Sequence, residues 1–171
     1  METKKQTSNK AVLTVSKVFN APIQLVFDAL SDADALAEWW GPVGFKMTVT
    51  QFNFAPDGLC LFKMENEGTI MWAKFVYGQI KHPELVEFVL SFSDETGKII
   101  RAPFFKDWPL QIQNIITLTE QNGKTAFTIN CYPINATEAE LLSFTENKSS
   151  FNQGLSASME KLGQYLLNNQ S

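Results

Sequence analysis

The feature that most constrains the fold is an apolar stripe in the C-terminal segment, residues 149–168. Phe151, Leu155, Met159, Leu162 and Leu166 follow one another at steps of four, four, three and four residues. This spacing is typical of one face of an α-helix. A long amphipathic helix buries its apolar face against another element, so the rest of the chain must supply a broad apolar partner.

The central part of the chain supplies that partner as a series of predicted strands. Between residues 45 and 133, segments rich in β-branched and aromatic residues alternate with turn signals such as APDG, DETGK and QNGK. Pro-Asp-Gly and Asn-Gly sequences are typical of tight turns and hairpins. Several strands carry polar residues on alternate positions, which indicates an antiparallel sheet with one solvated face. The segment IIRAPFFKDWP (99–109) fits neither a strand nor a helix clearly.

One predicted strand and two short predicted helices precede this series. Residues 11–19 read as a strand, and Pro22 then suits the first turn of a helix whose apolar face follows i, i+3, i+4, i+7 spacing. Ser31 and Asp32 are placed to cap a second helix, which ends near Trp39 and Trp40 because Gly41 and a proline follow. The predicted order is therefore β-α-α, about six further strands, and a final α-helix.

Composition limits the classes of partner. The 171 residues carry a net charge of −4 without a polybasic stripe, which argues against nucleic acid. No apolar window is long enough to span a membrane, and the polar start does not resemble a secretory signal, so a cytoplasmic protein is expected. Residues 1–10 are predicted to be disordered and residues 11–171 to form a single domain. Cys60 and Cys131 show no metal-ligand spacing, and a disulfide between them requires the fold to bring them together.

Four segments carry a resemblance to a known family. They are APIQLVFDAL (21–30), EWWGPVGF (38–45), APDGLCLFKM (55–64) and GLSASMEKLGQYL (154–166). In this order they resemble the family related to the activator of heat-shock-protein-90 ATPase, within the START-like superfamily. The chain departs from the family pattern at Asn53, at Asp57 in place of a glycine, and at Leu155 in place of a tryptophan.

The resemblance implies an α+β helix-grip fold. In that fold a curved antiparallel sheet of about six or seven strands wraps around the long C-terminal helix, and two short helices follow the first strand. It also implies a cavity between the helix and the sheet, and members of the superfamily bind lipids, hormones or polyketide-like molecules. On this basis one of Trp39 and Trp40 is expected to pack under the helix and the other to face the cavity.

The aromatic residues allow two interpretations. Fourteen Phe against three Tyr indicates that rings are used for apolar filling, and these rings either fill the core or leave a ligand cavity. For the cavity, polar groups are expected from Gln153, Asn152, Lys74 and Tyr77, because pockets combine apolar walls with a few polar groups. Gly154 marks either a close helix–sheet approach or room for a ligand. The expected lining residues are Trp39, Trp40, Phe45, Phe62, Met64, Trp72, Phe88, Phe104, Trp108, Phe127, Gln153 and Met159.

Signals for catalysis are weak. His82, the only histidine, lies in a predicted turn before a proline, and no nucleophile elbow, phosphate-binding loop or zinc motif is present. No cofactor and no metal are expected. The leading hypothesis is non-enzymatic binding of a small, largely apolar molecule. The alternatives are a chaperone-interacting module and a cyclase or hydrolase using Asp107 or Glu65, and a homodimer is also left open.

Overall fold

The computed structural model describes residues 12–169. The elements are β1 (Leu13–Phe19), α1 (Ile23–Ser31), α2 (Ala33–Trp39), β2 (Lys46–Phe52), β3 (Leu59–Asn66), β4 (Thr69–Lys81), β5 (Leu85–Ser93), β6 (Ile112–Gln121), β7 (Lys124–Pro133), α3 (Glu138–Glu146) and α4 (Lys148–Asn168). The predicted disorder of residues 1–10 lies outside the described residues.

All seven strands form one antiparallel sheet in the order β1-β7-β6-β5-β4-β3-β2. The register shifts between Val49 and Gln51 on β2 and between Tyr77 and Ile80 on β4. Such bulges bend a strand and increase its twist, so they help curve the sheet around one face. The predicted helix-grip α+β fold is confirmed, including the two short helices after β1.

Helix α4 buries its predicted stripe. Leu155, Met159, Leu162 and Leu166 are buried in the core, and the helix contacts α1, α2 and β1. Alternate residues of β7, such as Phe127 and Ile129, are buried on the concave face of the sheet. The buried stripe of α4 and the inward-facing alternate residues of the strands therefore form one core.

The apolar pattern of the sequence does not predict helix α3. The Thr137 side chain accepts a hydrogen bond from the Glu140 amide at 3.1 Å, and the Glu140 carboxylate accepts one from the Thr137 amide at 2.9 Å. This is a capping box, whose sequence signature Thr-x-x-Glu was present at 137–140. The sequence of this helix has no clear apolar stripe, and only Glu140 and Phe144 are buried. The weak apolar periodicity explains why the helix was not predicted.

The turn between β2 and β3 depends on Gly58. A Cβ atom at this position would lie 2.0 Å from the Asn53 carbonyl oxygen and 2.8 Å from that of Ala55. Both neighbours are backbone atoms, so the turn itself would have to move. We expect Gly58→Ala to lower the free energy of unfolding by about 1–3 kcal/mol or more. Urea denaturation followed by circular dichroism measures this change.

A matched control lies one residue earlier. Asp57 has φ of 67°, a left-handed conformation that glycine adopts freely. Asp57→Gly should therefore change the free energy of unfolding by less than about 1 kcal/mol. Equal stability of Gly58→Ala and the unaltered protein would show that the turn adjusts without cost.

Candidate functional site: an apolar cavity under the C-terminal helix

A cavity of about 510 Å³ lies between the first half of α4 and the concave face of β3–β5. The segment after α2 and the connection between β5 and β6 close its other sides. It reaches the surface beside residues that are themselves exposed, among them Thr69, Phe104 and Ser150. The wall is formed by Trp40, Gly41, Pro42, Phe45, Phe62, Met64, Thr69, Met71, Ala73, Leu90, Ser91, Phe92, Phe104, Phe105, Trp108, Pro109, Ile112, Asn147, Ser150, Phe151, Gly154, Leu155 and Ser158.

The two adjacent tryptophans lie in different environments. Trp39 ends α2 and is fully buried away from the cavity, where its indole Nε1 donates a hydrogen bond of 2.9 Å to the Ala29 carbonyl oxygen. Trp40 has an extended backbone and lines the cavity. Its ring centroid lies 5.7 Å from that of Trp39 and 5.1 Å from that of Phe75, both edge-to-face. The expectation of one packed and one cavity-facing tryptophan describes this arrangement, but Trp39, which was also expected to line the cavity, is not part of its wall.

Gly41 joins this corner to helix α4. The Ser158 hydroxyl lies 3.2 Å from the Gly41 amide nitrogen and 3.2 Å from its carbonyl oxygen, close enough to accept from the first and donate to the second. Gly41 has φ of 106°, which a residue with a Cβ rarely adopts. The Trp-Trp-Gly-Pro segment therefore turns sharply, and it places Trp40 opposite α4.

Aromatic rings form the opposite wall. Phe104, Phe105 and Trp108 lie on the connection between β5 and β6, and successive ring centroids are 4.9 Å and 5.8 Å apart. Phe92 contacts the first of them at 5.3 Å, and Phe151 of α4 contacts Trp108 at 5.6 Å. Edge-to-face and offset contacts at these distances stabilise rings in defined orientations. The segment that was ambiguous in the sequence is therefore a ring-bearing wall of the cavity.

An ion pair holds this wall against α3. The Arg101 guanidinium donates hydrogen bonds to the Glu140 carboxylate at 2.5 Å and to the Trp108 carbonyl oxygen at 3.2 Å. Glu140 is only 3% exposed, whereas the arginine is half exposed. The same carboxylate also completes the capping box with Thr137. One buried carboxylate thus connects the start of α3 to the aromatic wall.

Polar groups on the wall are few, and two of them already have partners. The Ser158 hydroxyl is engaged by Gly41, and the Asn147 side-chain amide donates to the Ser143 carbonyl oxygen at 2.9 Å. Thr69 and Ser150 lie at the exposed edge, and Ser91 is buried. No charged side chain and no histidine, cysteine or tyrosine is among the described lining residues. The wall is consequently apolar nearly throughout.

The structure brings half of the expected lining residues to the cavity. These are Trp40, Phe45, Phe62, Met64, Phe104 and Trp108. Phe88 and Met159 are buried in the core, as is Phe127 beside Trp39. Trp72 pairs with Lys63 on the convex face of the sheet, because inward positions on β4 alternate and Ala73 is inward. Gln153 is exposed on α4.

The candidate catalytic groups lie elsewhere. His82 and Asp107 are exposed, and the Glu65 carboxylate lies 3.5 Å from the Lys63 ammonium on the face of β3 opposite to Met64. None of the three lines the cavity. Of the polar residues expected there, Lys74 and Asn152 are also absent from the wall.

Tyr77 and the two cysteines are buried in the core. Burial raises the pKa of the Tyr77 phenol, and the neighbouring Cys60 raises it further. Burial likewise raises the pKa of Cys60 and of Cys131 to about 12 each. Both thiols are free, and that of Cys131 donates to the Asn114 side-chain oxygen at 3.0 Å. The thiols are therefore protonated at neutral pH and unreactive.

Several lining residues were not expected, and their signals differ. Phe151 belongs to the stripe of α4, and Met71 shares the inward face of β4 with Ala73 by simple alternation. The helical period predicts the position of Phe151, whereas alternation alone does not say which face of β4 is concave and so does not predict Met71. Phe92 and Phe105 depend on the course of the connection after β5, which carries no periodic signal.

Gly154 distinguishes a spacious helix–sheet contact from a tight one. A Cβ atom at this position would meet no other atom within 4 Å, and the residue lines the cavity. Gly163, further along the same helix, differs, because a Cβ atom there would lie 3.6 Å from the Phe19 ring. Gly154 therefore borders open space, and its lack of a side chain is not required by a close approach of the helix to the sheet.

Two negative findings apply to residues 12–169 alone. No three His, Cys, Asp or Glu side chains lie close enough together to hold a metal ion. No helix within that range has the length and apolar character needed to cross a membrane.

Comparison with known proteins places this chain in a family. The sequence model described as Activator of Hsp90 ATPase homolog 1-like protein matches residues 20–167. The chain belongs to this family. The match includes α1, α2 and nearly all of α4, and so every element that borders the cavity. No curated protein matches the chain.

Several solved structures share the architecture. A solution structure of a protein from Arthrobacter aurescens superposes with a TM-score of 0.80 at 19% identity, covering 96% of this chain and 90% of the other. Protein Ms6760 from Mycobacterium smegmatis gives 0.77 at 19% identity, with 95% of each chain covered. The AHSA1 protein from Silicibacter pomeroyi gives 0.69 at 19% identity, covering 93% and 99%. At these identities the likeness shows the fold alone.

Proposed function

We propose that this member of the Activator of Hsp90 ATPase homolog 1-like family binds one small, largely apolar molecule in the cavity under α4 and does not transform it. The observation that carries the proposal is the cavity itself, about 510 Å³ with an apolar wall. Small-molecule pockets usually measure about 300–1,000 Å³ and are lined mainly by apolar and aromatic side chains. A cytoplasmic location and the choice between monomer and homodimer remain predictions from the sequence.

The arrangement of titratable groups favours binding over a cyclase or hydrolase. General acid–base catalysis needs a side chain within hydrogen-bond reach of the reacting atom. Asp107 and Glu65, the carboxylates considered for such a role, do not line the cavity. The described wall carries serine, threonine and asparagine as its polar side chains, without a base beside them.

A chaperone-interacting role is supported only by the family description, which names an activator of the Hsp90 ATPase. Val43, Ile70 and Phe104 are exposed apolar residues next to or on the cavity edge, and a partner could contact them. Their position around an opening is equally expected for a ligand entrance. Capture of purified Hsp90 by the purified protein, unaffected by changes inside the cavity, would favour this alternative.

The test of the binding proposal fills the cavity from the helix side. Gly154→Leu places a side chain in open space on the cavity wall. Leucine also favours the helix by about 1 kcal/mol relative to glycine, so the variant should fold at least as stably. We expect it to lose at least about tenfold in affinity, equivalent to 1.4 kcal/mol, for any molecule that occupies the cavity. Titration of molecules released from the purified protein, identified by native and denaturing mass spectrometry, measures this loss.

Gly154→Ala is the matched control. Alanine gains at least as much helix propensity as leucine but adds a single methyl group, so binding should stay within about twofold of the unaltered protein. Equal affinity of the leucine variant and the unaltered protein would place the bound molecule outside this cavity.

A further inference from the structure

We propose that the ligand is an uncharged aromatic molecule, and that the cavity discriminates against organic anions built on the same ring skeleton. The inference rests on the proposed function, because it names the class of molecule that the same cavity would take. It depends on three properties of the wall: its rings, its lack of charge and the state of its polar groups.

The rings are presented from four separate parts of the fold. Trp40 stands at the end of α2, Phe62 on β3, Phe151 on α4, and Phe105 and Trp108 on the connection between β5 and β6. Contacts with neighbouring rings fix several of them in edge-to-face or tilted orientations. A planar ring placed among them gains offset and edge-to-face contacts in addition to burial, which an alkyl chain does not.

Two thioethers complete the ring-binding character. Met64 and Met71 face each other in the pairing of β3 with β4 and both line the cavity. Methionine sulfur contacts aromatic rings favourably, and the flexible side chain adapts to irregular shapes. The sheet side of the cavity therefore also suits a ring system.

Within residues 12–169, no cation lines the cavity to meet an acidic ligand. The described lining residues include neither lysine nor arginine. Arg101 lies behind the aromatic wall, where its guanidinium is bonded to the Glu140 carboxylate and to the Trp108 carbonyl oxygen. An ionised carboxylate or sulfonate in the cavity would lose its hydration without gaining a counter-charge, which is strongly unfavourable.

The polar groups cannot replace a cation. The Ser158 hydroxyl already bonds to Gly41, and the Asn147 side-chain amide donates to a helix carbonyl. Thr69 and Ser150 stand at the exposed edge, where one neutral hydrogen-bonding group of a ligand could meet them and water. Ser91 opposes Lys74 in the pairing of β4 with β5, so its side chain lies on the strand face opposite to that of Leu90 and Phe92. The cavity thus accommodates a neutral ring system with its polar substituent, if any, at the opening.

Two fluorescent probes with the same skeleton test this. N-phenyl-1-naphthylamine is neutral, whereas 8-anilinonaphthalene-1-sulfonate carries one sulfonate on the same rings. We expect the neutral probe to bind the full chain at least tenfold more tightly, and Gly154→Leu to weaken it at least tenfold while Gly154→Ala does not. We also expect 1-decanol, a neutral aliphatic competitor, to displace the neutral probe poorly.

The remaining outcomes overturn the inference in distinguishable ways. If the sulfonate binds as tightly as the neutral probe and Gly154→Leu weakens both, the cavity binds ligands but the charge discrimination is wrong. If 1-decanol displaces the probe as well as 1-naphthylamine, a neutral aromatic competitor, does, the preference for rings is wrong. If Gly154→Leu leaves the affinity for the neutral probe unchanged, the probe binds outside the cavity and the inference is overturned. If neither probe binds and native mass spectrometry shows no bound molecule, the proposed function fails as well.

Discussion

Replacing Trp39 by alanine will lower the free energy of unfolding by about 3–5 kcal/mol, the range observed when a buried large ring is truncated in a core. The indole is fully buried, and its ring packs edge-to-face on Trp40 and on Phe127 of the sheet. The side chain therefore joins the end of α2 to the concave face.

The hydrogen bond of the indole adds to this loss. Helix α1 ends at Ser31, so the Ala29 carbonyl oxygen belongs to the last turn, whose carbonyls have no intrahelical partner. The Trp39 Nε1 donates to this oxygen at 2.9 Å. Without the indole the buried acceptor is unsatisfied, which costs about 1–3 kcal/mol and is included in the expected total.

Guanidinium denaturation of three variants separates these contributions. Trp39→Phe keeps a ring and removes the donor, so its loss should fall between that of Trp39→Ala and zero. Trp72→Ala, a half-buried tryptophan on the convex face, should cost less than half as much as Trp39→Ala. Comparable losses for Trp39→Ala and Trp72→Ala, with unchanged denaturant slopes, would contradict the placement of Trp39 in the core.

The strands and the long helix could be predicted because their signals are local. Turn chemistry at residues 55–58 and 121–124 marks the ends of strands, and the four-residue steps of α4 define its buried face. Helix α3 shows the opposite case, since its start is marked by the Thr137–Glu140 box but its apolar periodicity is weak. The strands and α4 could be predicted from their apolar periodicity, whereas α3 could be predicted only from its capping box.

The lining of the cavity could be predicted only in part, because it depends on which face of a strand is concave. Met71 and Trp72 are adjacent on β4, and alternation says that they face opposite sides without saying which side. The larger aromatic residue was expected inside, but the structure places Met71 at the cavity and Trp72 on the convex face. Ring size is thus a poor guide where neighbouring strand residues are both apolar.

The aromatic wall could not be predicted because its position depends on a distant contact. Residues 99–109 have no regular hydrogen-bond pattern of their own, and Arg101 orients them by reaching Glu140, which follows 39 residues later. Neither residue carried a signal in the sequence that linked it to the other. Asp107, the carboxylate that the surrounding rings made conspicuous, is exposed.

Breaking this ion pair from the arginine side is expected to destabilise the fold and loosen the wall of the cavity. Arg101→Leu leaves the Glu140 carboxylate, 3% exposed, with the Thr137 amide as its remaining partner among the described residues. Removing one partner of a fully buried pair costs about 3–5 kcal/mol, and the half-exposed arginine reduces this to about 2–3 kcal/mol here. Urea denaturation measures the loss, and hydrogen exchange of residues 99–109 should accelerate.

A second substitution distinguishes the lost charge pairing from lost packing. Glu140→Gln keeps an oxygen for the Thr137 amide and removes the buried charge, so it should recover at least about 1 kcal/mol when combined with Arg101→Leu. Because the wall closes one side of the cavity, Arg101→Leu should also speed dissociation of the neutral probe N-phenyl-1-naphthylamine under the proposed function, and the double variant should restore part of its residence time. If the double variant is as unstable as Arg101→Leu alone, the arginine acts through its contact with the Trp108 carbonyl and its stem rather than through Glu140.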